Sequence, residues 1–350
     1  MEERRRVMPK RNVSIDLFRY ACAIMVVAIH TDPFYDIDVY LGYLFTQILS
    51  RIVVPFFFIT SGYFYRKTVH KSWTAIKSYF KKIIGVYLAW SIIYYAIDFL
   101  TWGHQNLKGY IAHCIFSFFI TGSHYHFWFF PALIISALII TFLCKTGLRR
   151  TIIPLCMVLY AIGCLGCSYR ALGDIVPGLN RLYRSESFLT IRRIFLMGLP
   201  FFGAGFLVDW IKDFFIKKRW NTAIQLLLLC GIFVIWIFEI LIISMLGLKD
   251  NLVQTIGLFP LVVGLLVFFL LHPGRNEKLA ASFHMAADWT YYVHPILILV
   301  LQSIAEIHQW KIEHTWLFLW VLLFVWPVIF TWRWVKTRII TIEQCRQSLG

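Results

Sequence analysis

The sequence predicts an all-α protein that crosses a membrane about ten times. Of its 350 residues, 59% are hydrophobic and only 15% are charged, and the mean hydropathy is +0.70. The apolar residues form repeated runs of about 17 to 25, the length that a helix needs to cross the hydrocarbon core. A soluble domain does not need this much apolar surface, so we predict a multi-pass membrane protein.

Ten apolar runs are read as membrane-spanning helices. They cover residues 13–31, 43–65, 80–99, 128–144, 151–168, 191–210, 221–246, 251–271, 288–306 and 315–333. A shorter apolar piece, IAHCIFSFFI, lies between the third and fourth runs and is about ten residues long. We predict a re-entrant or interfacial helix there, because an eleventh crossing would reverse the sidedness of every later loop.

The basic residues predict the orientation. The net charge of +16 could indicate a nucleic-acid partner. Because each predicted crossing moves the chain to the other side of the membrane, the segments between runs alternate in side. Of the 34 Lys and Arg residues, 24 fall in the segments on the same side as the amino terminus. This is the positive-inside pattern, which predicts that both termini are cytoplasmic and excludes a nucleic-acid function. We therefore divide the chain into a basic amino terminus (1–12), a transmembrane domain (13–333) and a cytoplasmic tail (334–350).

The first predicted span carries two ionisable residues on one stripe. Arg19 and His30 are eleven residues apart, which is about three helical turns or roughly 16 Å of axial rise. A charged group inside a spanning helix costs about 2.5–3.5 kcal/mol on insertion scales, so such residues are candidates for function. The structural alternative is an arginine that snorkels to the interface and a histidine at the outer helix end.

Other polar residues inside or beside the spans form two sets by depth. The inner set contains Arg19, Ser61 and His294, with His294 about two turns from the inner face and level with Arg19. The outer set contains His30, Arg51, His126, Glu239 and Arg192, and the interfacial Trp128 lies beside His126. We expect Glu239 to pair with a cation, either Arg51 or Arg192, because an unpaired carboxylate would be costly in a span.

The cysteines point to no metal site. Cys164 and Cys167 form a CxxC pair, but no second Cys or His pair accompanies them. Four ligands are usual for structural zinc, so we expect no bound metal. The oligomeric state is left open, and a homo-oligomer is compatible with the sequence.

Several segments resemble the membrane acyltransferase-3 family. Arg19 and His30 match its Arg-x10-His motif, and RIVVPFFFITSGY, YHFWFFPALI and YYVHP stand where that family has its other recognisable segments. The combination is similar to the membrane domains of the membrane-bound serine racemases of vancomycin resistance. Those proteins join such a domain to a cytosolic racemase domain that uses pyridoxal phosphate. Because the spans fill the chain to Gly350, we expect this chain to lack that domain and to hold no cofactor itself.

The resemblance implies two functions of different classes. In an acyltransferase, Arg19 would hold a cytoplasmic acyl-CoA and His30 would act as general base towards an outer hydroxyl group. In a serine-supply domain, Arg51 or Arg192 would bind the carboxylate of extracellular L-serine, Glu239 would bind its ammonium group, and His30 would contact its hydroxyl. The serine would then pass to the attached racemase. A passive membrane anchor is the third hypothesis.

Overall fold

The described chain is helical throughout. The computed structural model describes residues 11–274 and 276–348, with residues 333–348 described by their backbone alone. It is 81% helical and contains no strand within these ranges, which confirms the all-α fold class. Most of the basic amino terminus, the loop residue Arg275 and the side chains of the tail lie outside the described residues. The cytoplasmic position of the two termini therefore stays a prediction.

Sixteen α-helices follow one another along this part of the chain. They are α1 (Val13–Thr31), α2 (Val39–Tyr43), α3 (Val53–Val69), α4 (Trp73–Thr101), α5 (Leu107–Phe116), α6 (Phe129–Lys145), α7 (Ile152–Leu165), α8 (Arg170–Gly173), α9 (Pro177–Tyr183), α10 (Phe188–Ile191), α11 (Leu199–Ala204), α12 (Val208–Lys218), α13 (Thr222–Met245), α14 (Leu258–Leu271), α15 (Glu277–Ile307) and α16 (His314–Ser348). Short π-helical and 3-10 turns extend several of them, including a π-helical stretch at Arg192–Gly198.

Eight continuous helical stretches within these ranges are long and apolar enough to cross a membrane. Each corresponds to one of the ten runs predicted from the sequence. The other two runs correspond to α6 and α14, which are apolar but shorter than 18 residues. The short apolar helix at Leu107–Thr121 is also below this length, as expected for a segment that does not cross.

Asparagine and serine side chains begin several of these helices. Asn12, Ser72, Asn221 and Asn276 each accept a hydrogen bond from the backbone N–H three residues later. Such caps satisfy one of the first amide groups of a helix, which have no partner inside the helix. The cap at Asn276 starts α15 well before residue 288, where the apolar run that predicted this helix begins.

The helices form two compact units, of which the first comprises residues up to Val53 and those from His272 onward. In this unit α1 and α15 run side by side in the same direction. Near the start of α1, the Ser14 hydroxyl donates to the His272 carbonyl over 2.7 Å. Further along, α1 contacts α15 at successively later residues of both helices. Apolar packing with α16 completes this unit, through a buried cluster of Val27, Ala28, Ile298, Leu317, Phe318 and Val321.

The second unit, Val54–Leu271, contains α4 to α14 and nearly all of α3. Here α3 and α11 approach so closely that their backbones nearly touch. A Cβ atom added to Gly62 would lie 1.9 Å from the Phe202 carbonyl oxygen, and one added to Gly205 would lie 2.3 Å from the Tyr63 nitrogen. Small residues permit such close packing of membrane helices, as the GLPFFGAGF segment predicts.

This close approach gives a first testable prediction. Gly62→Ala should destabilise the protein by about 1–3 kcal/mol, because the new methyl group collides with backbone that cannot move aside. Gly85→Ala is the matched control: Gly85 lies in α4 with open space around it, so alanine should be neutral or stabilising there. Detergent-solubilised variants should be compared by thermal unfolding. Equal midpoints for the two variants would contradict the proposed backbone contact.

Candidate functional site

Four ionisable side chains of α1 and α15 form a compact group, here named the α1–α15 charge cluster: Asp16, Arg19, His284 and Asp288. The Arg19 guanidinium lies 2.7 Å from Nδ1 of His284, 3.3 Å from an Asp288 oxygen and 3.7 Å from an Asp16 oxygen. His284 in turn lies 3.2 Å from Asp16 and 3.5 Å from Asp288. Each charged group therefore has at least one partner of opposite charge within the cluster.

Helical spacing explains why these residues meet. Asp16 and Arg19 are three residues apart and His284 and Asp288 are four apart, so each pair projects from one side of its helix. The parallel alignment of α1 and α15 then brings the two pairs together. The Asp16 side chain is 10% exposed, whereas those of His284 and Asp288 are 32% and 35% exposed. One carboxylate is thus enclosed, and the other side of the cluster is accessible.

The cluster carries both signs of charge. With ionised carboxylates and a neutral imidazole, its net charge is −1. The His284 ring has two nitrogens and therefore two neutral tautomers: Nδ1 accepts a hydrogen bond from Arg19 in one and donates to Asp16 in the other. The site can therefore hold a cationic group at its carboxylates and an anionic group at its guanidinium, and it can donate or accept through one imidazole.

The second meeting point of α1 and α15 is a pair of histidines. The rings of His30 and His294 stack with centroids 5.5 Å apart and planes 18° apart. His294 is fully buried, and its Nδ1 lies 3.0 Å from the Thr290 carbonyl, to which an Nδ1–H can donate. That hydrogen bond orients the ring and makes Nε2 the acceptor nitrogen of the neutral tautomer.

The depth predicted for His294 was wrong. The sequence interpretation placed it level with Arg19, about two turns from the inner face. Because α15 begins at Glu277 rather than near residue 288, His294 is about 25 Å along its helix and meets His30 instead. The sequence analysis did not assign the first three turns of α15 to the helix, because they are amphipathic rather than uniformly apolar. The same turns contain His284 and Asp288, which the sequence analysis also missed; their four-residue spacing is the signal that would have found them.

Arg51 also belongs to the first unit but not to the charge cluster. Its Nε donates to the Gln47 carbonyl over 3.0 Å, and its guanidinium also donates to the Gln47 side chain. These contacts lie within one helical turn. They hold the guanidinium close to its own backbone.

Glu239, in the second unit, is held by uncharged donors. Its carboxylate accepts hydrogen bonds from the backbone N–H of Ile256 at 2.6 Å, from that of Gly257 at 2.7 Å and from the Tyr169 hydroxyl at 2.7 Å. Within the described chain it forms no ion pair, so the expectation of a cationic partner was wrong. Backbone amides supply the stabilisation that the sequence analysis assigned to an arginine.

The other predicted residues of the second unit occupy separate places. Arg192 lies in the π-helical stretch and directs Nη1 at the Cys167 sulfur, 3.7 Å away. Trp128 lies 5.0 Å beneath the guanidinium of Arg193, an arrangement that favours a cation–π interaction. The Ser61 hydroxyl donates to the Phe57 carbonyl over 2.8 Å, within its own helix.

His126 belongs to a small aromatic group in the second unit. Its Nδ1 lies 3.1 Å from Nδ1 of His124, and the Tyr94 ring stacks on His124 at 4.4 Å. A hydrogen bond between the two imidazoles requires one Nδ1 to carry the proton and the other to accept it. Within the described ranges, no group of three or more His, Cys, Asp or Glu side chains could hold a metal ion.

Comparisons with known proteins identify the family of this chain. The family described as an acyltransferase domain, acyltransferase-3, matches residues 12–335. An amino-acid racemase of Enterococcus faecalis is 32% identical over 309 residues, which are 85% of this chain and 43% of that protein. A serine/alanine racemase of Enterococcus gallinarum is 33% identical over 174 residues, 48% of this chain and 24% of the relative.

The chain spans less than half the length of these curated relatives. No solved structure matches it. The family match covers all ten predicted spans, including the segments that carry Arg19, His30 and His294. The chain therefore belongs to the acyltransferase-3 family and is a multi-pass membrane protein.

Proposed function

We propose that this chain is the membrane domain that supplies L-serine to an amino-acid racemase, and that serine binds at the α1–α15 charge cluster. The observation that carries the proposal is the presence of both signs of charge in one accessible cluster. A free amino acid carries an ammonium and a carboxylate group and needs a partner for each. The names of the relatives support an amino acid as the ligand.

Each part of serine has a matching group. Asp288, the more exposed carboxylate, would receive the ammonium group, which the net negative charge of the cluster attracts. Arg19 would bind the carboxylate, because its guanidinium has five N–H donors and suits carboxylate geometry. His284 would contact the hydroxyl as donor or acceptor. This assignment replaces Arg51, Arg192 and Glu239, since the Glu239 oxygens already accept three hydrogen bonds.

The position of the cluster suits delivery to the cytoplasm. It lies in the first two turns of α1, the end that the charge pattern predicts to be cytoplasmic. In this proposal the imidazoles of His30 and His294 lie towards the side where extracellular serine enters. Pyridoxal phosphate would belong to the racemase domain, because the cluster contains no lysine to form a Schiff base.

Equilibrium binding of radiolabelled L-serine to the purified chain tests this proposal. We expect saturable binding and at least a tenfold loss of affinity in Asp288→Asn, which corresponds to about 1.4 kcal/mol. Asp174→Asn is the matched control: Asp174 also pairs with an arginine and has a 33% exposed side chain, but it lies outside the cluster. Absence of saturable binding, or equal losses in the two variants, would overturn the proposal.

Acyl transfer is the second candidate, and the stacked pair of His30 and His294 favours it. A positioned imidazole can take a proton from an acceptor hydroxyl, and such a base typically contributes 10²- to 10⁴-fold in rate. With acetyl-CoA and a hydroxyl acceptor, transfer should fall by that factor in His30→Gln and stay unchanged in His104→Gln, an exposed control. Failure of both serine binding and acyl transfer would leave the passive anchor.

A further inference from the structure

Helices α12, α13 and α14 of the second unit enclose an apolar groove of about 290 Å³. This is close to the lower end of the volumes of small-molecule sites. Every lining residue except Gln225 is apolar. Leu207, which precedes α12, and Ile211 and Phe215 within α12 line the groove from one side at four-residue intervals. Gly264 lines the opposite wall, where an added Cβ would lie 3.3 Å from Leu229 and 3.9 Å from Ile232.

The dimensions of the groove match one hydrocarbon chain. The lining residues of α13 run from Gln225 to Ile232, about 10 Å along the helix, and those of α14 run from Phe259 to Leu271, about 18 Å. Half of the hydrocarbon core of a bilayer is about 15 Å thick. An acyl chain of a lipid in one leaflet therefore has the length and the chemistry of this groove.

One end of the groove is basic. Gln225, its polar residue, donates through Nε2 to the Trp220 carbonyl over 2.8 Å, and the Trp220 ring contacts that of Phe215 at 5.2 Å. The turn just before Trp220 carries three exposed cations, Lys217, Lys218 and Arg219. None of the three forms an ion pair with another described side chain. Arg219 adopts a left-handed conformation and ends α12 at this turn (φ 51°).

We propose that this groove is a binding site for an anionic phospholipid, with one acyl chain between α12, α13 and α14 and the phosphate headgroup at Lys217, Lys218 and Arg219. The apolar lining and the adjacent cations, which form no ion pair with another described side chain, complement the two halves of such a lipid. Basic residues beside a membrane surface attract anionic lipid headgroups. The site is independent of the α1–α15 charge cluster and of the proposed serine function.

Native mass spectrometry of the purified chain tests the site with phosphatidylglycerol and phosphatidylcholine of identical acyl chains. We expect a saturable adduct with phosphatidylglycerol. Gly264→Leu, which fills the groove, should reduce it at least fivefold. Gly231→Leu is the control, because Gly231 lies in α13 with open space around it. Leu228→Trp, which fills the groove from its exposed side, should also reduce the adduct and is the second variant if Gly264→Leu does not fold.

The headgroup part is tested separately. Replacing Lys217 and Lys218 together with glutamine should bring phosphatidylglycerol binding down to the level of phosphatidylcholine. The same replacement of Lys81 and Lys82 in α4 should leave the preference intact. Wild-type adduct levels in both groove-filling variants would overturn the site. Equal binding of the two lipids by the wild-type chain would overturn recognition of an anionic headgroup.

Discussion

Replacement of Arg19 by methionine is expected to destabilise the protein by about 1–3 kcal/mol. Removing one partner of a fully buried ion pair typically costs about 3–5 kcal/mol because the other charge is left uncompensated. The cost is smaller here because the Arg19 and Asp288 side chains are 22% and 35% exposed. Here two carboxylates, Asp16 and Asp288, lose their shared cation, and Asp16 is nearly enclosed. The change should appear as a lower midpoint of unfolding in detergent. Arg184→Met, at an exposed arginine, is the control and should have little effect.

Two further variants test the cause of that loss. In the Arg19→Met background, changing both Asp16 and Asp288 to asparagine should recover part of the stability, because no uncompensated charge remains. Arg19→Lys should be intermediate, since one ammonium group cannot reproduce the geometry of a guanidinium. A stability of Arg19→Met equal to that of the wild type would show that the cluster is not an ion-pair network.

Replacement of Glu239 by alanine should cost at least about 3 kcal/mol. The carboxylate accepts three hydrogen bonds, and a hydrogen bond to a charged group contributes about 1.5–3 kcal/mol. Its removal frees the two amides at Ile256 and Gly257, which precede α14. Tyr169→Phe removes one of the three donors and should cost correspondingly less. Glu186→Ala, an exposed carboxylate, is the control.

The same variant separates two roles of Glu239. The structure gives this residue a stabilising position, whereas the sequence analysis expected it to bind the ammonium group of serine. Unfolding midpoints and serine binding should therefore be measured on the same preparations. Loss of serine binding in Glu239→Ala without a change in stability would contradict the stabilising role and favour direct binding.

The membrane-spanning helices could be predicted from local sequence patterns, because a span is defined by the composition of one continuous segment. A run of apolar residues long enough to cross hydrocarbon has few other stable conformations, so helix positions followed directly from the sequence. The start of α15 is an exception. Its first turns are amphipathic rather than uniformly apolar, so the sequence analysis placed them outside the membrane and did not identify His284 as a candidate residue.

Pairing of polar side chains was less accessible to sequence reasoning. Depth alone suggested an arginine as the partner of Glu239, but its partners are two backbone amides and the Tyr169 hydroxyl. Every residue except proline carries a backbone amide, so no sequence pattern identifies this kind of partner. Depth also placed His294 level with Arg19, but the helix start was misplaced by about three turns, and His294 instead stacks on His30. Small errors in helix boundaries thus become complete changes of contact.

The sequence by itself determined that this protein is an all-α membrane protein of the acyltransferase-3 type, and it singled out Arg19 and His30 as the unusual residues of the first span. Hydrophobicity is sufficient to predict the membrane-spanning helices, spacing along one helix is sufficient to single out Arg19 and His30, and the family type follows from the resemblance of several segments to acyltransferase-3 proteins. Only the tertiary structure decided that α1 and α15 run parallel, so that Arg19 joins Asp16, His284 and Asp288 while His30 stacks on His294. The physical reason is that contacts between residues more than 250 positions apart depend on how the helices pack, which no local pattern encodes.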